Sequence, residues 1–141
     1  MSVPDSKVRE FFEHYERANG NFDVEALAGL YGQEFMFGDP QGVRAVKQAD
    51  FIKVLPKRKE FFKSMGLVSS SVASLEVSEL DTKYLLVKVL WRFRFEGEAR
   101  EPNEIKNLAS FLLSAVGDSF EIVFQLDHED LLKKAQDLRL R

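Results

Sequence analysis

The chain has 141 residues, of which 45% are hydrophobic and 30% are charged, and 20 basic against 23 acidic residues give a formal net charge of −3. This length and composition predict one globular domain over residues 1–141, and the lack of cysteine excludes disulfides, thiolate metal ligands and cysteine nucleophiles. The mild acidity disfavours nucleic-acid partners, the absence of a long apolar run excludes a membrane span, and the polar N-terminus predicts a cytoplasmic protein.

The first half of the chain has the apolar spacing of helices. The predicted elements are a helix over residues 3–18, a short helix with the stripe Val24, Leu27, Leu30 and Tyr31 that ends at Gly32, a strand over 34–38, and a helix over 46–65. Apolar residues in each helix recur every three or four positions, as one helical face requires. Pro56 lies in the middle of the third helix, and because proline removes a backbone donor we expect a kink or a break there.

The second half has the alternation of strands. The predicted elements are strands over 67–80, 84–95, 105–116 and 120–126, a loop over 96–103, and a closing helix that is capped by Asp127 or His128 and packs Leu131, Leu132, Ala135 and Leu138 inward. In the first of these strands the apolar residues move from even to odd positions near Ala73 and Ser74, which a period of two does not allow. A β-bulge at that point would explain the change and would bend the sheet around a cavity.

The strand over 84–95 has two different faces. Its odd residues are apolar and predict a core face, whereas its even residues mix leucine with Lys88, Arg92 and Arg94. The mixed face suits a homodimer through the outer side of the sheet. The alternative is a solvated sheet with weak cross-strand ion pairs. With the helices that flank this meander, the chain predicts an α+β fold whose helices lie on one face of a curved sheet.

Several segments of the chain resemble a known family. The segment 11–27, with the sequence FFEHYERANGNFDVEAL, and the shorter segments 30–31, 35–37 and 39–40 resemble the opening of nuclear transport factor 2-like proteins, above all the SnoaL-like and ketosteroid-isomerase-like branches. The later strands agree in order and length. The resemblance implies a cone-like, cystatin-like α+β roll with an antiparallel or mixed sheet, helices on its concave face and an apolar pocket between them. It also implies a protein that is usually dimeric through the outer face of the sheet.

Asp39 is the residue that the sequence favours as a catalytic group. It ends an apolar strand, and Pro40 stops regular pairing directly after it, so the carboxylate is expected at the rim of the enclosed space. In ketosteroid-isomerase-like enzymes the acid at the matching position is the general base that moves a proton beside a carbonyl, and the resemblance implies this role for Asp39. The alternative is a turn residue that bonds to its own backbone, as aspartate before proline often does.

Two features of the chain depart from the ketosteroid isomerases. Glu13 stands where the first helix should carry the tyrosine that donates to the enolate oxygen, and Tyr15, a lesser catalytic candidate, lies on another face of that helix. The strand over 105–116 lacks the second donor acid, so steroid isomerisation is not expected. His14 is a further candidate proton carrier, although its place beside the apolar stripe favours an exposed position. The histidines have no carboxylates at metal-ligand spacing, so no metal is predicted.

The remaining candidates concern ligand binding. The residues expected to line an apolar pocket are Phe12, Tyr31, Phe37, Trp91 and Phe111, with plain core packing as the alternative. A basic run between Arg44 and Lys63 is interpreted as the solvated face of a helix and not as a nucleic-acid site, since no aromatic stacking platform accompanies it. The predicted function is therefore that of a SnoaL-like protein that binds a small apolar ligand without a cofactor, with isomerase, cyclase or dehydratase-type proton transfer by Asp39. The alternative is a noncatalytic dimeric module of the same fold that binds a ligand or a protein.

Overall fold

A computed structural model of the protein describes residues 5–97, 100–131 and 133–134. Its elements in chain order are α1 (Asp5–Gly20), α2 (Val24–Ala28), β1 (Tyr31–Asp39), β2 (Gly42–Lys47), α3 (Gln48–Ser64), β3 (Leu67–Glu79), β4 (Tyr84–Gly97), β5 (Arg100–Val116) and β6 (Ser119–Asp127). Within these residues no helix combines the length and the hydropathy that crossing a membrane requires.

The six strands form one curved, mixed sheet in the order β2-β1-β6-β5-β4-β3. Neighbouring strands are antiparallel except β1 and β6, which run parallel. The helices pack on the concave side, where α1 contacts β3 and α3 contacts β1, β2 and β3. This arrangement confirms the predicted α+β fold with its helices on one face of a curved sheet.

The end of the second helix, the start of the strand after it and one further strand differ from the prediction. The second helix ends at Ala28, and Tyr31 and Gly32 begin β1 instead of finishing that helix. The strand β2, which extends the sheet beyond β1, is not predicted from the sequence. Most of β2 is exposed because it is an edge strand, so burial imposes no alternation of apolar and polar residues on it.

The third helix is continuous through Pro56, so of the kink or break expected there the break is wrong, and the kink stays a prediction. It begins at Gln48, two residues later than predicted, and includes Pro56 in its interior. Proline removes one backbone hydrogen bond there. Phe51 packs against the main core and Phe62 against a second cluster, so both halves of the helix are held by tertiary contacts.

The second half follows the predicted strand order with longer strands. The register of β3 against β4 shifts between Val72 and Ser74, which confirms the bulge predicted at Ala73 and Ser74. The strands β4 and β5 continue to Gly97 and from Arg100, so the prediction of a loop between them is wrong over most of its length.

The cap of the closing helix also differs from the prediction. Asp127 ends β6, and Asp130 instead accepts a hydrogen bond from the backbone N–H of Lys133 at 3.1 Å. Leu131 is buried, as predicted. The other predicted inward residues of this helix, Leu132, Ala135 and Leu138, lie outside the described residues.

The main core lies between the helices and the concave face of the sheet. Phe12, Phe111 and Ile122 are almost wholly buried in it, and so are Leu85, Val87 and Val89 of β4, which confirms the predicted core face of that strand. The even residues of β4 point to the other side of the sheet. There Arg92 forms an ion pair with Glu104 of β5.

Candidate functional site

A cavity of about 700 Å³ opens between the three helices and the concave face of the sheet. Its wall is mainly apolar, and the aromatic residues that line it include Tyr15, Tyr31, Phe35, Phe37, Phe51 and Trp91. Sites for small molecules commonly have this size, a mostly apolar wall and a few placed polar groups. The polar groups of this wall therefore decide what the cavity can do.

A β-bulge in β6 brings two polar residues to the cavity. The register of β6 against β5 shifts between Ile122 and Phe124, so Val123 is an extra residue. Because side chains alternate with a period of two, one extra residue exchanges the two faces of the strand beyond it. Gln125 and Asp127 consequently line the cavity. Without the bulge, regular alternation would place the even residues of the strand on that side instead.

Four polar side chains of the wall form a continuous hydrogen-bond chain. The hydroxyl oxygens of Tyr15 and Tyr31 lie 2.8 Å apart, and the Tyr31 hydroxyl donates to Gln125 Oε1. Because that second bond uses the Tyr31 proton, Tyr15 is the donor of the first. Gln125 Nε2 then donates to Asp127 Oδ1 at 3.0 Å. Every donor in the chain therefore points toward the Asp127 carboxyl.

Burial changes the proton affinity of the three titratable groups in this chain. It raises the pKa of Asp127, an effect that the hydrogen bond from Gln125 and the positive charge of Arg58 partly offset. Burial also raises the pKa of Tyr15 to about 12 and the pKa of Tyr31 well above its ordinary value. Both tyrosines are therefore neutral at physiological pH, and Asp127 is the carboxylic acid of this hydrogen-bond chain.

Side chains from neighbouring elements hold the helices and strands around the hydrogen-bond chain in place. Gln48 Nε2 donates to the carbonyl oxygens of Ala28 and Tyr31, at 2.8 and 2.9 Å, and so fixes the start of β1 against α3. Glu16 on α1 accepts a hydrogen bond from the backbone N–H of Val72 at 2.5 Å, at the bulge of β3. β3 is an edge strand of the sheet, and this hydrogen bond attaches α1 to it.

Asn107 is a further polar residue of the wall. It lies on β5 with 3% of its surface exposed, and its Oδ1 has no hydrogen-bond partner among the described residues. An unpaired buried acceptor costs about 1–3 kcal/mol. A bound molecule that donates a hydrogen bond would remove this cost.

The basic run of the sequence is solvated, and part of it also borders the cavity. Its basic side chains on α3 are exposed except that of Lys59, which is half-buried, so the solvated helix face that the sequence predicts is confirmed. Arg58, Lys59 and Lys63 line the cavity, whereas Lys53 and Lys57 of the same helix do not. In the described parts of the chain no three His, Cys, Asp or Glu side chains come together as metal ligands would.

The structure brings some of the predicted site residues to the cavity and leaves others away from it. The predicted residues at the wall are Tyr15, Tyr31, Phe37 and Trp91. Phe12 and Phe111 are packed in the core and are not part of the wall. His14 is exposed on α1.

Asp39 lies in the hairpin between β1 and β2 and not on the cavity wall. Its Oδ1 accepts a hydrogen bond from the backbone N–H of Gln41 at 2.9 Å, and its Oδ2 lies 3.5 Å from Arg44 Nη1. The first of these is the bond of a turn residue, which is the alternative that the sequence allows. The charge of Asp39 still reaches the cavity, since it adds to the effect of burial on the pKa of Asp127.

The sequence analysis does not identify Gln125, Asp127 or Arg58 as site residues. For the first two there is no local signal, because regular alternation places them on the opposite face of β6. For Arg58 a signal exists: the residue stands at helical spacing from Phe51 and Phe62 and so interrupts the apolar face of α3.

Comparison with known proteins identifies the family of this fold. The family described as NTF2-like protein (DUF6841) matches residues 5–130. The chain belongs to this NTF2-like family. The match confirms the resemblance to nuclear transport factor 2-like proteins that the sequence indicates. No curated protein matches the chain in sequence.

Solved structures share the fold of this NTF2-like protein at low sequence identity. An NTF-2 like protein of unknown function from Shewanella oneidensis MR-1 is 15% identical with a TM-score of 0.71, and the match covers 90% of this chain and 100% of that one. Aln2 from a Streptomyces species is 12% identical with a TM-score of 0.75, covering 100% and 99%. The β subunit of benzoate 1,2-dioxygenase from Burkholderia mallei is 14% identical with a TM-score of 0.70, covering 92% and 93%. At these identities the likeness shows the fold alone.

Proposed function

We propose that this NTF2-like protein binds a small, largely apolar carbonyl compound in the cavity and transfers a proton on it with Asp127. The observation that carries the proposal is the position of Asp127, a buried carboxyl on the wall of an apolar cavity at the end of a chain of donors. The reaction class is isomerase-, cyclase- or dehydratase-like, without a cofactor. The resemblance to the SnoaL-like branch supports this class.

The environment of Asp127 suits a group that takes up and returns a proton. Burial raises its pKa, which brings the proton affinity of the carboxyl closer to the working range of a general base. Gln125 donates to Oδ1 and fixes the orientation of the carboxyl, so Oδ2 can accept a proton from carbon. The base removes a proton from the carbon beside the carbonyl, and return of that proton to another carbon completes an isomerisation.

Asp39 is the competing candidate for the base. Its turn hydrogen bond and its contact with Arg44 occupy both of its oxygens, whereas Asp127 keeps one oxygen without either kind of contact among the described residues. Asp39 therefore acts in this proposal as a nearby negative charge, which further favours the protonated form of Asp127.

A noncatalytic ligand-binding module is the second candidate. It is favoured by the direction of the hydrogen-bond chain, since the protons of both tyrosine hydroxyls are already donated within the wall and neither is free for an enolate oxygen. For either candidate we propose a homodimer through the outer face of the sheet, where the even residues of β4 provide leucines and exposed cations.

An exchange experiment separates the two candidates. The protein is mixed with α-tetralone, an apolar ketone, in D₂O, and NMR follows loss of the proton signal beside the carbonyl above the buffer rate. We expect the wild type to accelerate this exchange, and Asp127→Asn to reduce the acceleration by about 100-fold or more. The matched control Asp39→Asn should retain most of it.

The remaining outcomes of the exchange experiment are equally specific. Loss of exchange in Asp39→Asn with retention in Asp127→Asn would make Asp39 the base. Binding of the ketone without any exchange, observed by the fluorescence of Trp91 in the cavity wall, would favour the noncatalytic module. Absence of both binding and exchange would refute the proposal for this class of ketone.

A further inference from the structure

Three cations on the cavity wall have no role in the proton transfer proposed for Asp127. Arg58, Lys59 and Lys63 lie on α3, and none of them forms a salt bridge with another described residue. Lys59 instead lies 3.7 Å from the ring centre of Phe22. The whole chain carries a formal charge of −3, so this group of cations is opposite in sign to the protein that contains it.

The acids of the same wall do not neutralise these cations. Asp23 accepts a hydrogen bond from the backbone N–H of Ala26 at 3.0 Å and so caps α2. Asp127 accepts a hydrogen bond from Gln125 and forms no salt bridge with a described cation. Asp50 is exposed in the first turn of α3, where a negative charge stabilises the helix. The wall therefore keeps a surplus of positive charge beside α3.

Arg58 is an exposed cation at the edge of the cavity, on the same helix face as apolar residues of the wall. It follows Phe51 and Leu55 and precedes Phe62 at spacings of four, three and four residues, and all four side chains line the cavity. Its guanidinium carbon lies 5.2 Å from the ring centre of Phe62, and its charge acts on both tyrosines and on Asp127. A cation on an otherwise apolar helix face, with no salt-bridge partner among the described residues, is placed to meet an anion that enters with an apolar molecule.

We propose that the ligand of this cavity is a carboxylic acid, with its carboxylate on Arg58 and its apolar body among the aromatic residues. The inference rests on the proposed function, because it names the class of molecule that the same cavity binds. A guanidinium presents parallel N–H donors that match the two oxygens of a carboxylate. Lys59 and Lys63 increase the positive potential at the entrance and so favour entry of an anion.

Two probes with the same body test the inference. Adamantane-1-carboxylate is charged and 1-adamantyl methyl ketone is neutral. Trp91 is the single tryptophan of the chain and lines the cavity, so its fluorescence reports occupancy. We expect the acid to bind about tenfold or more tightly than the ketone, as a charge-assisted hydrogen-bond pair implies. This advantage should shrink as salt is added.

Substitutions on α3 assign the preference to one residue. Arg58→Gln should weaken binding of the carboxylate by about tenfold and change binding of the ketone by less than about twofold. Arg58→Lys keeps the charge without the parallel donors, so its affinity for the carboxylate should lie between those of the wild type and Arg58→Gln. Lys57→Gln is the matched control, because it removes the same charge from the adjacent residue, which does not line the cavity. It should change neither affinity by more than about twofold.

The other possible binding results contradict either the role of Arg58 or the apolar ligand itself. Equal binding of the two probes, or an acid preference that survives in Arg58→Gln, would overturn the assignment of the carboxylate to Arg58 while leaving the apolar ligand of the proposed function intact. A preference lost equally in Lys57→Gln would show general electrostatic attraction and no site. If neither probe changes the fluorescence of Trp91, both the inference and the proposed apolar ligand are refuted for this type of body.

Discussion

Replacement of Tyr31 by phenylalanine tests the hydrogen-bond chain of the cavity wall. The Tyr31 hydroxyl bonds to Tyr15 on one side and to Gln125 on the other. Its removal breaks two buried bonds, and at a net contribution of about 1 kcal/mol each the free energy of unfolding should fall by about 2 kcal/mol. Tyr15→Phe breaks only the first of these bonds, so its expected loss is about 1 kcal/mol.

The double variant gives the sharper result. Tyr15→Phe combined with Tyr31→Phe loses the same two bonds as Tyr31→Phe alone, so its loss should also be about 2 kcal/mol, which corresponds to a coupling energy of about 1 kcal/mol. Unfolding in urea, followed both by the fluorescence of Trp91 and by circular dichroism, measures the free energies and checks that the transitions coincide. Tyr84→Phe alters the remaining tyrosine, which is outside the chain, and should change stability by less than about 0.5 kcal/mol.

Two results would refute this reasoning. Additive losses, with the double variant about 3 kcal/mol less stable than the wild type, would show that the two hydroxyls do not share a bond. Equal losses in the two single variants would show that the Tyr31 hydroxyl makes one bond and not two.

Three further substitutions test other parts of the structure. Gly66→Ala should lower the melting temperature far more than Gly117→Ala. Both residues have positive φ, but a Cβ at Gly66 would lie 2.2 Å from the carbonyl oxygen of Glu96, whereas one at Gly117 would meet nothing within 4 Å. Equal losses in melting temperature would contradict the close approach at Gly66. Phe111→Ala should reduce the free energy of unfolding in urea by about 3–5 kcal/mol, and a loss below about 1 kcal/mol would contradict its burial. Asp127→Asn should be more stable than the wild type at neutral pH and lose this advantage in acid. Burial raises the folded-state pKa of Asp127 above its unfolded value, so wild-type stability falls as pH rises through these two pKa values. Melting temperatures measured from acidic to neutral pH check the sign, and an advantage that grows toward acid would contradict it.

The sequence predicts the strands whose burial is one-sided. Alternation in β4 identifies its core face correctly because half of its residues must be buried and the other half need not be. The slip in β3 near Ala73 is visible for the same reason, since several apolar residues stand on each side of it. The strand β2 has no buried face to impose a pattern, and sequence reasoning misses it.

The candidate site is less predictable because it depends on one extra residue and on distant contacts. In β6 the residues beyond Val123 still alternate, so the sequence has the pattern of one regular strand. That pattern does not reveal that the two faces are exchanged beyond Val123. Asp127 thereby changes from a helix cap to a cavity residue. The partner of Tyr31 lies 94 residues away, a contact that no local pattern can indicate. Of these site residues, only Arg58 has a local signal in the sequence, because it is a charged residue on an apolar helix face.

The parallel pairing of β1 with β6 sets the order in which a newly made chain can fold. The hairpin of β1 and β2 leaves the ribosome early, but its only other neighbour in the described sheet is the last strand to be synthesised. Pairing over such a separation is slow, and partly folded chains expose apolar surface meanwhile. The aromatic lining of the cavity is thus covered only after β6 has been made. A chain that stops before β6 should therefore be a substrate for chaperones and proteases, even though most of its helices and strands are present.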